Sequence, residues 1–183
     1  EQIAALVHDV SHTAFSHVID HVFKQAETQS FHEERKEWFF QQSDIPKILN
    51  QHGYQWQNFL DEEKFSILEQ PAPALCADRV DYLLRDTVDL NLLDTQKIQT
   101  IVRNLKILKG KIVCQDINTA KLMAEVYMKA DEKSWSNFRE VALYEITARA
   151  IIRAKDIHLI KDEDLWKTDL WLLDKLKSSE DAL

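Results

Sequence analysis

Glycine and proline are scarce in this sequence, whose 183 residues include 2 Gly and 3 Pro. A β-sandwich or barrel with many short strands needs more turn-forming residues than these. Leu, Ala, Glu and Lys, by contrast, are frequent, and all four favour helices. Since hydrophobic residues make up 45% of the chain, we expect a mainly helical protein with a sizeable core.

Positive charge and cysteine are also in short supply. The 23 Lys and Arg residues stand against 31 Asp and Glu, for a net charge of -8. A broad nucleic-acid or anionic-membrane surface needs clustered positive charge, so the balance disfavours both, although a local basic pocket for phosphate stays compatible with it. Cys76 and Cys114 imply no disulfide framework and fit a reduced, cytoplasmic setting. We expect neither a membrane span nor a secretory signal.

Apolar residues recur at helical spacing along most of the chain. Ser43-Asp44 before Pro46 predicts a helix cap, and Gly53 suits a left-handed position after that helix. Two apolar runs around Lys109-Gly110 predict a β-hairpin at 105–114. We expect an all-α bundle with this hairpin as a small decoration. The predicted helices are 2–9, 13–25, 31–42, 45–51, 62–69, 74–86, 95–101, 117–132, 137–155 and a last one, capped by Asp162 or Asp164, to about residue 178.

Histidine is concentrated near the start of the chain, where five of the 7 His residues lie within the first 32 positions. A lone helical His is usually an ordinary structural residue, but this density, with Asp9 and Asp20 nearby, favours a metal site. Imidazole and carboxylate together suit Zn, Mn, Fe, Ni or Co. Neighbours on a helix point about 100° apart, so His8 and Asp9 reach one ion only at a helix end or from two sides of it; they could also serve two ions. The five residues are His8, His12, His17, His21 and His32.

Two motifs resemble those of a known superfamily. The stretch ALVHDVSHTAFSH at 5–17 resembles the second motif of HD-domain phosphohydrolases, most closely in the deoxynucleoside triphosphate triphosphohydrolase branch. The stretch ADRVDYLLRD at 77–86 is similar to a later motif of that branch, and Phe31-His32-Glu33 to a His-Glu pair between the two. The resemblance spans nearly the whole chain and implies one HD-type domain over 1–183, with an HD-domain helical bundle.

The resemblance also implies roles for individual residues. His8, Asp9 and Asp78 correspond to metal ligands. His12, His17 and Asp20 correspond to positions that line the reaction centre in the relatives, and His32 corresponds to a proton donor. The positions of Arg79, Tyr82 and Asp86 contact the triphosphate or sugar.

These roles imply a metal-dependent phosphohydrolase that acts on nucleotides, or a related phosphate ester or anhydride, through a metal-activated water. The cofactor expected is a divalent transition metal (Mn, Fe, Zn, Ni or Co), with Mg as a further candidate. The expected partner is a phosphorylated small molecule, and we expect no binding to membranes or nucleic acids. Because the relatives often form oligomers, we also expect a homo-oligomer.

The chain also departs from the pattern of this family. The family's first metal-binding His lies upstream of the His-Asp pair, and only seven residues precede His8, so we expect a fragment that lacks its N-terminal helix or helices. Ser11 and Thr13 stand where the relatives carry Gly. An Arg, a His and a Tyr that face the phosphates and sugar are replaced here by Tyr127, Asp131 and Trp135, unless Arg139 or Tyr144 substitutes for one of them. The missing first His and the altered Gly positions motivate an alternative function, a catalytically impaired HD-fold ligand-binding or scaffold module.

Several residues of these motifs also have an ordinary explanation. Tyr82 and Asp86 have the spacing of a helix-surface pair, and Arg85-Asp86 that of a simple salt bridge. His21, His52 and His158 are expected to be structural or exposed. The five Trp residues are expected in the core or at an interface.

Overall fold

The structure is a computed structural model that describes residues 1–71 and 73–181. Helices dominate this part of the chain, and its strands form one two-stranded sheet. The predicted all-α bundle with one small hairpin is confirmed. In chain order the elements are α1 (Gln2–Val7), α2 (His17–Val22), α3 (Phe31–Gln42), α4 (Ile45–Gln51), α5 (Ala77–Asp89), α6 (Thr95–Asn104), β1 (Leu105–Leu108), β2 (Lys111–Cys114), α7 (Ile117–Ala130), α8 (Phe138–Asp156) and α9 (Asp169–Lys177).

The hairpin lies where the Lys109-Gly110 dipeptide predicts it. Strands β1 and β2 pair antiparallel, with Leu105 opposite Cys114 and Leu108 opposite Lys111. Lys109 and Gly110 have φ of 51° and 72°. Two consecutive positive φ angles are the signature of a type I′ turn, whose twist matches that of the flanking strands.

The helix predicted over 13–25 is shorter in the structure, because α2 begins only at His17. Phe15 and Ser16 have φ of 54° and 31°, which a right-handed helix cannot accommodate. The backbone N–H of Phe15 donates to Asp169 Oδ1 at 2.9 Å, and this bond holds the turn. The prediction failed because Ala14, Phe15 and Val18 have the apolar spacing of a helix although a turn lies between them.

Two further helix predictions need correction. Residues 62–69 were expected to be helical, but the helical part is a 3₁₀ turn at Glu62–Lys64. The last helix does not start at a cap formed by Asp162 or Asp164, since Asp162–Trp166 is itself a 3₁₀ turn. Thr168 caps α9 instead by accepting from the backbone N–H of Trp171 at 3.3 Å.

The capping signals around α4 are borne out in part, because Asp44 occupies the cap position but forms no capping hydrogen bond through its side chain. Pro46 occupies the first turn, and Ser43 Oγ accepts from the backbone N–H of Ile45 at 3.2 Å. Gly53 has φ of 81° just after the helix, where a residue without a Cβ adopts this conformation without strain.

The described chain divides into two compact units. The first contains Glu1–His8 and Asp61–Asn137, and therefore α1, α5, α6, the hairpin and α7. Helix α5 packs against α7 and buries Val80, Leu83 and Thr87. Because this burial fixes the rotation of α5, the face that carries residues 78, 82 and 86 is fixed as well. The apolar core of the unit consists of Val80, Leu83, Leu93, Ile101, Met123 and Val126.

The second unit contains Asp9–Leu60 and the chain from Phe138 onward, with α2, α3, α4, α8 and α9. Its core forms where α2 packs against α8. The backbone N–H of Ala14 donates to the carbonyl of Leu165 at 2.8 Å, which ties the turn before α2 to this core. The buried residues are Ala14, Val18, Ile19, Phe31, Ala148, Ile151, Ala154, Ile160, Leu165 and Leu172. That residues 1–183 form one domain stays a prediction.

Within 1–71 and 73–181, none of the helices combines the length and the apolar composition needed to traverse a bilayer.

Two adjacent isoleucines of α8 test the core of the second unit. Ile151 is 0% exposed and Ile152 is 39% exposed. We expect Ile151→Ala to lower the free energy of unfolding by about 2–5 kcal/mol, because the buried side chain leaves a cavity. Ile152→Ala, the matched control, should change it by less than about 1 kcal/mol. Chemical denaturation gives both values, and equal losses would contradict the described core.

Candidate metal centre and surrounding residues

His8 lies immediately after the last residue of α1, at the C-terminal end of that helix. The His-Asp pair therefore lies at a helix end, which is one of the two locations expected for neighbouring His and Asp side chains that reach one ion. His8 is half-buried, whereas Asp9 is exposed.

The two ring nitrogens of His8 have different partners. Nδ1 lies 2.8 Å from the carbonyl oxygen of Ala5. A carbonyl only accepts, so Nδ1 carries the proton that it donates. Nε2 lies 3.4 Å from Asp78 Oδ1. In a neutral imidazole this leaves the Nε2 lone pair facing a carboxylate oxygen, an arrangement that needs a cation or a second proton between the two atoms.

Asp78 is held by the backbone as well as by its helix. It lies in the first turn of α5. The backbone N–H groups of Ala77 and Asp78 donate to the carbonyls of Ile67 (2.7 Å) and Leu68 (3.2 Å). The first N–H groups of a helix have no partner within the helix, and these bonds provide one. They also fix the backbone position from which the Asp78 side chain extends.

Asp9 is linked to both His8 and His12. Ligand atoms of the consecutive residues His8 and Asp9 lie within 4.8 Å of each other. Asp9 Oδ1 lies 3.5 Å from His12 Nε2. An imidazole nitrogen and two carboxylates are a donor set that divalent transition metals accept, so His8, Asp9 and Asp78 fit a metal ion by their chemistry.

Three histidine rings of the second unit form a cluster. His12 and His32 stack at 3.9 Å between ring centroids, with 18° between their planes. His17 meets both rings edge-on, at 5.5 Å from His12 and 6.1 Å from His32. Ser16 Oγ also forms a hydrogen bond with His12 Nδ1. The structure therefore brings together three of the residues that the sequence places at a reaction centre.

Asp20 is a buried residue that contacts this cluster. It is 2% exposed, so it is closed off from a substrate in solution. Its Oδ2 lies 3.3 Å from His17 Nδ1, and its Oδ1 accepts from the backbone N–H of Phe31 at 3.1 Å. A single carboxylate thus orients His17 and holds the start of α3, the helix that carries His32.

Burial, together with the charges that His12 and His17 carry when protonated, lowers the pKa of His32 to about 4. His32 is therefore neutral at pH 7. A neutral imidazole is a poor proton donor, so the role implied by the resemblance requires a nearby anion to raise this pKa.

Arg79 is occupied by groups that precede α5. Its Nη1 donates to the carbonyls of Gln70, at 3.3 Å, and of Ala74, and to Cys76 Sγ at 3.4 Å. The family resemblance implies that Arg79 contacts the triphosphate or sugar. The observed bonds give the guanidinium a second task, that of holding the backbone in front of Asp78.

Tyr82 and Asp86 form hydrogen bonds with Tyr127 and Trp135 rather than with each other. Tyr82 Oη lies 3.1 Å from Tyr127 Oη, and the indole N–H of Trp135 donates to Asp86 Oδ2 at 2.7 Å. Arg85 pairs with Asp81 at 2.9 Å, so the expected Arg85-Asp86 salt bridge is replaced by an i, i+4 pair.

Sequence reasoning missed three partners of the site. Ser16 lies four residues after His12, a spacing that could have indicated the contact. The sequence gives no indication of the other two contacts. Asp169 lies 154 positions from its partner Phe15, and the Ala5 carbonyl is a backbone group. Ser11 and Thr13 need no left-handed backbone, since the positive φ angles of this turn lie at Phe15 and Ser16. The Ser11 hydroxyl is nevertheless buried and has no hydrogen-bond partner among the described residues.

His32 generates a prediction on pH. Its imidazole proton resonance should titrate with a midpoint near 4 in the ¹H NMR spectrum, and His32→Gln identifies the resonance. Since this pKa is below the usual 6.5, the unfolded chain binds the proton first. Because His32 is neutral in the folded protein, it should not reduce the free energy of unfolding above pH 6.5. As pH falls from 6.5 toward 4, protonation of the unfolded chain should lower that free energy. A midpoint at or above 6.5 would contradict the described burial.

Arg79 generates a prediction on local stability. Arg79→Lys keeps the charge but removes the branched set of donors. We expect the amides of Ala77 and Asp78 to exchange with deuterium at least roughly 10-fold faster, because the backbone in front of α5 loses its restraint. Arg85→Lys, on the exposed side of α5, is the control and should leave both rates unchanged. Equal rates in all three proteins would rule out this restraint.

Comparison with known proteins gives two similar chains, both longer than this one. Over 181 residues the chain is 41% identical to "Uncharacterized protein YdhJ" of Bacillus subtilis, a match that covers 98% of the chain and 55% of that protein. Over 173 residues it is 36% identical to "Metal-dependent phosphohydrolase cns2" of Cordyceps militaris, a match that covers 91% of the chain and 50% of that protein.

The chain thus spans about half the length of the curated relatives that it matches. No family model and no solved structure matches it. The name of the Cordyceps protein agrees with the class of enzyme expected from the two sequence motifs. Over nine-tenths of its length, this chain is similar to a protein named as a metal-dependent phosphohydrolase.

Proposed function

We propose that this chain carries the metal-binding part of a phosphohydrolase. One observation carries the proposal: His8 Nε2 faces Asp78 Oδ1 at 3.4 Å while Nδ1 donates to Ala5. A hydrogen bond from the second ring nitrogen to a backbone carbonyl is how metal-binding histidines are usually oriented. Similarity to a protein named as a metal-dependent phosphohydrolase supports the same conclusion.

His8, Asp9 and Asp78 would hold a divalent transition metal (Mn, Fe, Zn, Ni or Co), with Mg as a further candidate. Bound there, the ion would neutralise phosphate charge and lower the pKa of a water molecule. The remaining work falls to the side chains of this protein. Asp9 also contacts His12 at 3.5 Å.

The histidine cluster would handle protons. Asp20 fixes His17 through Nδ1, which leaves Nε2 of that ring to face solvent or substrate. His32 is neutral at pH 7 in the free protein. An anionic phosphate nearby would raise its pKa and allow it to take up a proton, which it could then give to the leaving oxygen.

The substrate would be a phosphorylated small molecule, and we favour a nucleotide. Tyr82 and Asp86 offer a hydroxyl and a carboxylate to a sugar. Burial and the Tyr127 hydroxyl raise the pKa of Tyr82, so the phenol stays protonated and can donate. Cleavage of deoxynucleoside triphosphates, a cytoplasmic location and homo-oligomer formation are further parts of this proposal, carried only by the sequence.

Metal affinity tests the proposal. The purified chain, stripped of metal, should bind Mn²⁺ or Co²⁺ in a calorimetric titration. Asp78→Asn should weaken that binding by more than about 10-fold, because it replaces an anionic ligand by a neutral amide. Asp81→Asn is the matched control. It lies on the same helix, is exposed and pairs with Arg85, and it should leave the affinity unchanged.

Turnover is the second part of this test. Metal-loaded protein should release phosphate, pyrophosphate or triphosphate from a panel of nucleotides, and Asp78→Asn should abolish the release. Nucleotide binding without any release would favour the alternative, an impaired ligand-binding module. If no metal binds, or if Asp78→Asn and Asp81→Asn behave alike, the proposed metal centre is wrong.

A further inference from the structure

The face of α5 that begins at Asp78 continues into a group of aromatic side chains in the same unit. Asp78, Tyr82 and Asp86 are spaced four apart, so they lie along one side of the helix, with a rise of about 6 Å between successive members. The organic part of a phosphorylated compound bound at Asp78 would extend along this side. The inference that follows rests on the proposed function.

Trp135 is the centre of that aromatic group. Its ring meets Tyr82 at 5.1 Å and Tyr127 at 5.0 Å between centroids, edge-on in both cases. Its indole N–H donates to Asp86 Oδ2 at 2.7 Å. All four side chains are half-buried, so each keeps some surface that a ligand can contact.

The backbone around Trp135 is unusual. Asp131–Trp135 forms a π-helical turn directly after α7, where the backbone N–H of Ser136 donates to the carbonyl of Asp131 at 3.0 Å. Such turns insert a residue into the helical register and re-aim the side chains that follow, and they are frequent at functional sites. In this chain the turn ends on the residue that bonds to Asp86.

The hydrogen bond changes what Asp86 can offer. An indole N–H is a donor only, and a bond to an ionised carboxylate is a strong one. A vicinal diol binds a carboxylate best when each hydroxyl donates to a separate oxygen. Because Oδ2 already accepts from Trp135, a second hydroxyl has to share that oxygen with the indole, which weakens the bond that the hydroxyl forms.

We propose that Trp135 is a specificity-determining residue that restricts Asp86 to one strong contact with a substrate hydroxyl. The protein would therefore distinguish poorly between a substrate with a vicinal diol and one with a single hydroxyl at that position. Removing the indole N–H would restore the second contact and create a preference for the diol.

Two nucleotides that differ in one hydroxyl test this directly. Adenosine 5′-monophosphate and 2′-deoxyadenosine 5′-monophosphate share the phosphate and the base. We expect the wild-type protein to bind them with similar Kd in calorimetry. In Trp135→Phe, which keeps a ring against Tyr82 and Tyr127, the ratio of the two Kd values should shift toward the ribonucleotide by roughly 10-fold, the effect of one hydrogen bond to a charged group.

Trp171→Phe is the matched control, because Trp171 is a half-buried Trp of α9 in the other unit; it should leave the ratio at the wild-type value. A general loss of packing would weaken both nucleotides equally and leave the ratio unchanged, so an unchanged ratio in Trp135→Phe overturns the proposal. The same shift in Trp171→Phe also overturns it, as does wild-type protein that binds neither nucleotide.

A measurement without ligand separates this proposal from the metal centre. The indole N–H resonance of Trp135, assigned by its absence in Trp135→Phe, should move when Asp86 is replaced by Asn. If it does not move, the bond to Asp86 is absent in solution and the proposal is wrong, whatever the metal titration gives. If nucleotide ratios and this resonance behave as expected while no phosphate is released, the proposed function fails and the role of Trp135 in binding stands.

Discussion

The contact between His8 Nε2 and Asp78 Oδ1 is the interaction on which the proposed site depends. It joins residues 70 positions apart in the sequence, at the end of α1 and the start of α5. The Ala5 carbonyl fixes one side of the imidazole, and backbone bonds to Ile67 and Leu68 fix the start of α5. Two acceptors are thereby held 3.4 Å apart, an arrangement that a cation stabilises and that is unfavourable without one unless the imidazole is protonated.

Much of the surrounding structure serves to orient side chains rather than to contact a substrate. Buried Asp20 holds His17 and the start of α3, and the turn at Phe15-Ser16 is held by Asp169. Arg79 holds the backbone in front of α5. Such supporting bonds keep the reacting groups in place before a substrate arrives, which is where much of the catalytic power of a site comes from.

Sequence patterns predicted what depends on local spacing. The hairpin at Lys109-Gly110, the position of Gly53 and the helical class follow from turn chemistry and composition. The start of α2 did not, because the turn before it is held by the distant residue Asp169. Nor did the start of α9, because apolar spacing does not reveal the cap at Thr168. Likewise the motifs placed His12, His17 and His32 together, while the partners of Tyr82 and Asp86 depend on how α5 packs against α7.

Crystals of the protein soaked in Mn²⁺ would test the central claim most directly, since anomalous diffraction locates the ion without reference to activity. The account predicts an ion bonded to His8 Nε2 and to carboxylate oxygens of Asp9 and Asp78, with Nδ1 still donating to Ala5. An anomalous map with no ion at His8, while His8 stays bonded to Asp78 through a shared proton, would contradict it.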